Sequence, residues 1–257
     1  MRAKLTVLVP CRNEEEMLPA ALESVRWADE IYVVDSFSTD RSVEIARAAG
    51  ARVEEHEYVN SATQKNWAIP RATHEWVMVL DCDERVTPEL AAEIQRVLER
   101  PAHDGYRVRR RSFFLGREIR HCGWERDAVL RLFRRDRGRY LDREVHADVE
   151  VEGGNVGWLE GKLLHFTVRS LGQYFEKFGR YTTWAAGDLE KRGARAGFLS
   201  LFLRPAARFL KMYLLRLGFL DGLHGLVLCT LAAMSVFTKY AKLWERERAR
   251  ARKKPLA

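Results

Sequence analysis

Apolar residues in the first hundred positions of this 257-residue chain alternate between two rhythms, short β-rich runs and stretches with helical spacing. Leu5-Thr6-Val7-Leu8-Val9 predicts a buried strand, after which Met17, Leu18, Ala21, Leu22 and Val25 mark one face of a helix. Ile31-Tyr32-Val33-Val34 predicts a second strand ending at Asp35. Asp40 is the expected N-cap of a helix carrying Val43, Ile45, Ala46 and Ala49, with Gly50 as its stop. A strand near residues 52–55, a helix from Ser61, the strand Trp76-Val77-Met78-Val79-Leu80 and a helix capped by Thr87 with Pro88 in its first turn complete the series. Strand and helix in alternation predict an α/β fold with a mostly parallel sheet.

The rhythm changes after Gly105. Residues 105–165 suggest short, arginine-rich strands broken at Gly116, Gly123, Gly138 and Gly153-Gly154. From Leu171 the chain turns helical and apolar, carries Arg204, Arg208, Lys211 and Arg216, and closes on a basic tail at residues 246–254. The expected organisation is a catalytic domain over 1–170, with a donor-binding half at 1–100 and an acceptor half at 101–170. A helical, basic C-terminal segment follows at 171–257.

A net charge of +8 and pI near 9.5 point to negative partners: nucleic acid, anionic lipid or a phosphorylated small substrate. The four dispersed cysteines form no CxxC pair, which fits a reducing compartment without a zinc site or disulfide framework. The apolar run before Pro10 is too short for a signal-peptide core, so export by that route is not expected. The run 223–237 is shorter than the ~20 residues a spanning helix needs. With its interspersed cations, this segment is expected to lie on anionic lipid; burial or a dimer interface is the alternative.

The chemistry gathers where strands end, the ligand-binding edge of an open parallel sheet. The first strand is followed by Pro10-Cys11-Arg12-Asn13-Glu14-Glu15, without the glycines of a dinucleotide fold. The second delivers Asp35 and the fourth Asp81-Cys82-Asp83-Glu84. On an extended chain, residues two apart point the same way, so Asp81 and Asp83 are expected to aim at one divalent cation, with substrate phosphates completing its shell; that they end a strand and start a turn is the alternative.

These stretches, with Val33-Val34-Asp35-Ser36-Phe37-Ser38-Thr39-Asp40 and Gln64-Lys65-Asn66-Trp67-Ala68, resemble the successive motifs of glycosyltransferase family 2. Arg111-Ser112-Phe113-Phe114-Leu115-Gly116-Arg117, Gly123-Trp124, Arg131-Leu132-Phe133-Arg134-Arg135 and Val145-His146 resemble its branch of lipopolysaccharide core glycosyltransferases of the WaaE type. The resemblance implies a GT-A fold, inverting transfer from a nucleoside diphosphate sugar, and Mg²⁺ or Mn²⁺. Pro10, Arg12, Asn13, Glu14 and Asp35 then line the nucleoside pocket with Lys65 close by, and Asp81 faces ribose or sugar. Asp83, with Asp81 and His165, attends the metal or diphosphate; for His165 an ordinary strand histidine is the alternative.

Inversion needs a base for the acceptor hydroxyl. Asp127 resembles the acid preceding an Arg-Leu stretch in related enzymes; a salt bridge to a nearby arginine is the other reading. Relatives commonly carry His-Glu where this chain has His146-Ala147, leaving Glu144 and Asp148 as reserves. The arginines of 107–120 and 131–139 are candidates for diphosphate or a phosphorylated lipid, with a solvated strand face as the alternative for about half of them, and Phe113, Phe114 and Trp124 for core or acceptor platform. The expected activity is transfer of a hexose, glucose from UDP-glucose, to a lipid-linked saccharide such as a lipopolysaccharide core. The enzyme is expected in the cytoplasm, peripheral to the inner face of the membrane. A scaffold without activity and a nucleic-acid-binding protein are the rivals; the acidic strand ends oppose the second, and no nucleic-acid partner is expected.

Overall fold

The computed structural model describes residues 2–141 and 148–253. In chain order they form β1 (Leu5–Cys11), α1 (Leu18–Glu23), β2 (Glu30–Asp35), α2 (Ser42–Ala48), β3 (Arg52–Glu55), α3 (Ser61–Ala68), β4 (Trp76–Val79), β5 (Glu84–Val86) and α4 (Pro88–Val97). There follow β6 (Gly105–Phe114), β7 (Arg117–Glu118), β8 (Ala128–Arg134), β9 (Gly138–Tyr140), β10 (Val149–Val151), β11 (Val156–Val168), α5 (Leu171–Lys191), α6 (Arg204–Leu210) and α7 (Gly222–Lys253). The chain divides into two compact units, Met1–Arg111 with Arg126–Phe166, and Ser112–Glu125 with Thr167–Ala257.

The main sheet runs β3-β2-β1-β4-β8-β6-β11-β5. Its first four strands are parallel, and β8 then pairs antiparallel with β4. Strand β1 is buried on both faces, as a central parallel strand must be. Alternation splits its side chains between two cores. Val7 and Val9 join Leu18 and Leu22 of α1 and Leu90 and Ile94 of α4. Leu8 joins Tyr32, Val79, Ala62 and Ala68 on the other side. This is the GT-A arrangement: a mixed, mostly parallel sheet with flanking helices, plus a helical C-terminal segment.

Local starts follow their caps. Asn60 accepts from the Thr63 amide at 2.8 Å to begin α3, and Thr87 from that of Leu90 at 3.3 Å to begin α4. Helix α2 departs from expectation. Its N-cap is Arg41, while the carboxylate of Asp40 accepts from the amides of Ser42 and Glu15, so Asp40 ties two loops together one residue earlier. The region after Gly105 also differs, because β6 is ten residues long and β11 thirteen. Gly161 lies within β11 without breaking it; a Cβ there would sit 2.7 Å from the Leu90 Cα, so glycine permits α4 to approach the strand.

In the second unit, residues 112–125 of the expected acceptor half pack with the helices. Phe114, Ile119 and Cys122 share a core with Met212, Leu228, Cys229 and Leu231. Around α6 the chain makes π-helical turns at Leu199–Leu203 and Lys211–Leu215. The bend before α7 depends on two glycines, since a Cβ on Gly225 would lie 1.9 Å from the Gly218 carbonyl oxygen. Helix α7 runs well past the apolar stretch at 223–237. The helical stretch Gly218–Arg250 is long and apolar enough to cross a bilayer by length and composition, and only 28% of its most apolar window is buried.

Candidate active site

The loops after β1 and β2 are laced by polar contacts. Ser38 donates its hydroxyl to Asp35 Oδ1 at 2.5 Å and its amide to Oδ2 at 2.7 Å, and its Oγ accepts from the Asn13 amide at 2.8 Å. Asn13 returns the contact by accepting from the Thr39 amide at 2.8 Å. The Glu14 amide donates to Ser42 Oγ at 2.8 Å. Asp35 is thereby buried at the carboxyl end of β2 with both oxygens engaged. Asn13 and Phe37 have φ of 53° and 54°. Asparagine tolerates that conformation, but it is strained for a phenylalanine, and Phe37 is 58% exposed. Strain of this kind concentrates at binding sites. Arg12 is exposed beside this loop, and the Pro10 carbonyl accepts from Cys82 Sγ at 3.3 Å.

Helix α3 joins three strands through consecutive residues. Gln64 donates to Ser36 Oγ at 2.5 Å and to the Val34 carbonyl at 3.2 Å. Lys65 is buried and donates to Asp81 Oδ1 at 2.9 Å. Asn66 exchanges two hydrogen bonds with the Tyr140 backbone, at 2.8 and 2.9 Å. The motif Gln64-Lys65-Asn66 is therefore a bracket that holds the ends of β2, β4 and β9 together.

Residues 81–84 differ from the extended geometry expected. The Glu84 amide donates to the Asp81 carbonyl at 2.9 Å, closing a turn, and Arg85 pins it by donating to the carbonyls of Cys82, Glu84 and Met17. A turn removes the period-2 alignment, so the two aspartates have different partners. Asp81 is held by Lys65 and Arg131. Burial pushes its pKa up, but the charges of Arg131 and then Lys65 outweigh that and hold it well below the ordinary carboxylate range. For Lys65 burial pulls the pKa down, and the Asp81 charge more than restores it.

Asp83 turns instead toward β11. The pairing of β11 with β5 sets His165 opposite Glu84, and the Phe166 amide donates to the Asp83 carbonyl at 2.8 Å. His165 Nε2 consequently lies 3.7 Å from Asp83 Oδ2. Both side chains are partly exposed. No cluster of three His, Cys, Asp or Glu side chains suited to a metal exists among the described residues. Two protein donors nevertheless fit Mg²⁺ or Mn²⁺, ions typically held by one or two side chains with substrate phosphates and water.

Glu84 stands out only in three dimensions. It is fully buried, with Oε1 accepting from Arg131 at 2.6 Å and from Arg110 at 3.2 Å, while Oε2 accepts the Asp81 amide at 3.1 Å. Arg110 continues the chain, donating from Nε and Nη2 to the two oxygens of Asp127 at 2.8 and 2.9 Å. Asp127 thus forms the arginine pair named as its second reading. The signal for this network was available: a glutamate opening a strand beside arginine-rich neighbours needs paired cations if it is buried. Arg110 and Arg131 therefore neutralise carboxylates of the protein itself. Asp148 is exposed next to β10, and its carbonyl accepts from the Leu141 amide at 2.9 Å; Glu144, His146 and Ala147 lie outside the described residues. Phe114 is fully buried and meets Trp124 edge to face at 6.5 Å between centroids, which makes it core.

Residues 6–151 match the family model described as Glycosyl transferase family 2. The chain is 30% identical over 261 residues to the lipopolysaccharide core biosynthesis glycosyltransferase LpsC of Rhizobium meliloti, covering 96% of this chain and 94% of that one. An uncharacterized glycosyltransferase of Rickettsia typhi is 27% identical, with 94% and 87% covered. Among solved structures, S. aureus TarS superimposes with a TM-score of 0.49 at 14% identity, over 71% of this chain and 39% of that one. The chain belongs to glycosyltransferase family 2.

Proposed function

We propose that this enzyme transfers a hexose, glucose from UDP-glucose, with inversion to a lipid-linked saccharide of the lipopolysaccharide core type, at the inner face of the cytoplasmic membrane. The observation that carries this reading is the convergence of the Asp35–Ser38–Asn13 lacing, the Lys65–Asp81 pair and the Asp83–His165 pair on one unit's β1, β2 and β4 ends. Family membership and the 30% identity to a lipopolysaccharide core enzyme support it. Residues 1–100 form the donor half and 101–170 the acceptor half.

In this reading Pro10, Arg12, Asn13 and Glu14 line the nucleoside pocket, with Asp35 near the base. Lys65 and Arg131 keep Asp81 ionised and aimed at ribose or sugar. Asp83 and His165 would hold Mg²⁺ or Mn²⁺, which when bound would neutralise charge on the departing diphosphate. Asp127 removes the proton from the acceptor hydroxyl as that oxygen attacks the anomeric carbon. Its pairing with Arg110 is compatible with this, because an ionised carboxylate has about four lone-pair sites and the arginine occupies two.

Calorimetric titration of UDP with and without Mn²⁺ tests the assignment. Wild type is expected to bind UDP more tightly with Mn²⁺ present, and Asp83→Ala to lose that increment while its melting curve is retained. Undiminished Mn²⁺-dependent affinity in Asp83→Ala rejects the ligand role.

A further inference from the structure

The helical unit has an unusual charge inventory. From Arg192 to Trp244 there are eight lysines and arginines and a single acidic residue, Asp221. Asp221 is buried, and its carboxylate accepts from the amides of Arg120 at 3.2 Å and His121 at 2.9 Å, so it offers no surface charge. Three of the cations collect where α6 and α7 pack. Arg204 donates to the Tyr240 hydroxyl at 2.6 Å, and its guanidinium lies 5.1 Å from that ring's centroid. Lys239 Nζ lies 5.6 Å from the same centroid. Burial first, and then the charges of Arg208 and Arg204, hold the Lys239 ammonium below its usual pKa, as expected of cations crowded together. None of the three has a carboxylate partner among the described residues.

Large apolar side chains stand in the open along the same helical run. Phe198, Phe202, Leu203 and Leu210, which flank Arg204 and Arg208 in the chain, are each at least half exposed, as are Leu215 and Leu223 further along it. Large apolar side chains exposed in such number mark an interaction site. The occupant has to match both features, an anionic group beside hydrocarbon. A second copy of this chain fails that requirement, since pairing the faces sets cations against cations. A phospholipid leaflet meets it, with phosphate at headgroup level and acyl chains within reach of the leucines.

We propose that this face of the helical unit is a binding surface for an anionic phospholipid bilayer, in which Arg204, Arg208 and Lys239 together grip lipid phosphate while the Phe198–Leu203 turn, Leu215 and Leu223 enter the acyl region. It rests on the membrane-surface reading above and adds to it a specific phosphate grip and an apolar component that salt does not remove. Tyr240 sets the spacing of the grip by anchoring Arg204.

Flotation of the full-length protein with vesicles tests it, comparing phosphatidylcholine alone with phosphatidylcholine mixed with phosphatidylglycerol. Wild type should float with the anionic vesicles and retain part of that binding in high salt. The triple variant Arg204→Gln/Arg208→Gln/Lys239→Gln should need about a hundredfold more anionic lipid for half binding, given the contribution of each surface cation. Restoring charge with Arg204→Lys/Arg208→Lys should recover most of it, which separates a lost grip from a lost fold. Leu215→Ser/Leu223→Ser should remove the salt-resistant part. A triple variant that floats like wild type overturns the grip and leaves membrane association standing. Equal wild-type flotation with neutral vesicles also overturns the grip. Wild type floating with neither vesicle, or dimerising instead, overturns this inference and the membrane assignment alike, while metal-dependent UDP binding still reports on the enzymatic one.

Discussion

The two units handle charge in opposite ways. In the sheet unit, Arg110, Arg131, Lys65, Asp81, Glu84 and Asp127 form one connected chain of ion pairs, with Glu84 fully buried at its centre. In the helical unit, Arg204, Arg208 and Lys239 crowd one another with no acid beside them among the described residues, and leucines and phenylalanines stand exposed. Paired buried charge fixes the positions of reacting groups at the cost of desolvation. Unpaired surface charge waits for a partner from outside. Catalysis needs the first and docking needs the second, and the functions proposed for the two units divide along that line.

The contrast predicts a graded set of responses. The largest concerns Glu84, whose removal leaves Arg110 and Arg131 without their shared partner; Glu84→Ala should cost about 3–5 kcal/mol in denaturant unfolding. A loss below about 1 kcal/mol would mean that the network is not the linchpin of the sheet unit. Next comes Asp127→Asn, which keeps shape and cannot take the proton. It should retain UDP affinity by calorimetry and lower turnover about a hundredfold or more. Collapse for Glu144→Gln or Asp148→Asn, with Asp127→Asn active, moves the base to those positions.

Asp221 is a buried carboxylate of the helical unit, engaged by the amides of Arg120 and His121 and by the His121 ring. Replacing it with alanine leaves two buried donors unmet and should cost about 1–3 kcal/mol by thermal unfolding. A smaller effect follows from the depressed pKa of Asp81. A carboxylate whose folded pKa lies below its unfolded value, about 3.9, adds stability above that value and loses it as pH falls through the folded one. Unfolding free energy should therefore decline below about pH 4 in wild type and less steeply in Asp81→Asn. The smallest effect is the sharpest test of the contrast: Arg208→Gln should change stability by no more than about 0.5 kcal/mol, since it breaks no ion pair among the described residues.

Much of the sheet unit was legible because local patterns and long-range packing agree there. The apolar strand Leu5 to Val9, the helix start at Ser61, the cap Thr87 and the acids at strand ends all follow rules of a few residues' range. What escaped was the consequence of one turn. The period-2 argument for Asp81 and Asp83 assumes an extended chain, and the Asp81–Glu84 turn breaks it, sending one carboxylate to Lys65 and Arg131 and the other toward His165. The partners of Glu84 were hard to read for a different reason. Its importance comes from arginines 26 and 47 positions away, brought close only by strands folding back. The long helix α7 was underestimated because only its uninterrupted apolar core was counted, although the helix continues through Lys239 and Lys242.

The discontinuity of the helical unit bears on how the chain is made. Residues 112–125 leave the ribosome well before the segments that cover them, and Phe114, Ile119 and Cys122 find their core partners only when Met212, Leu228 and Cys229 have been synthesised. At elongation rates of ~5–20 residues per second, that loop waits several seconds with its apolar side chains uncovered. The nascent enzyme thus passes through an interval in which the first parallel strands are complete but a sticky loop is exposed. A chaperone or the membrane itself is then the natural cover. A shortened chain that stops near residue 170 would remain in that interval permanently, so its expected behaviour is aggregation rather than clean solubility.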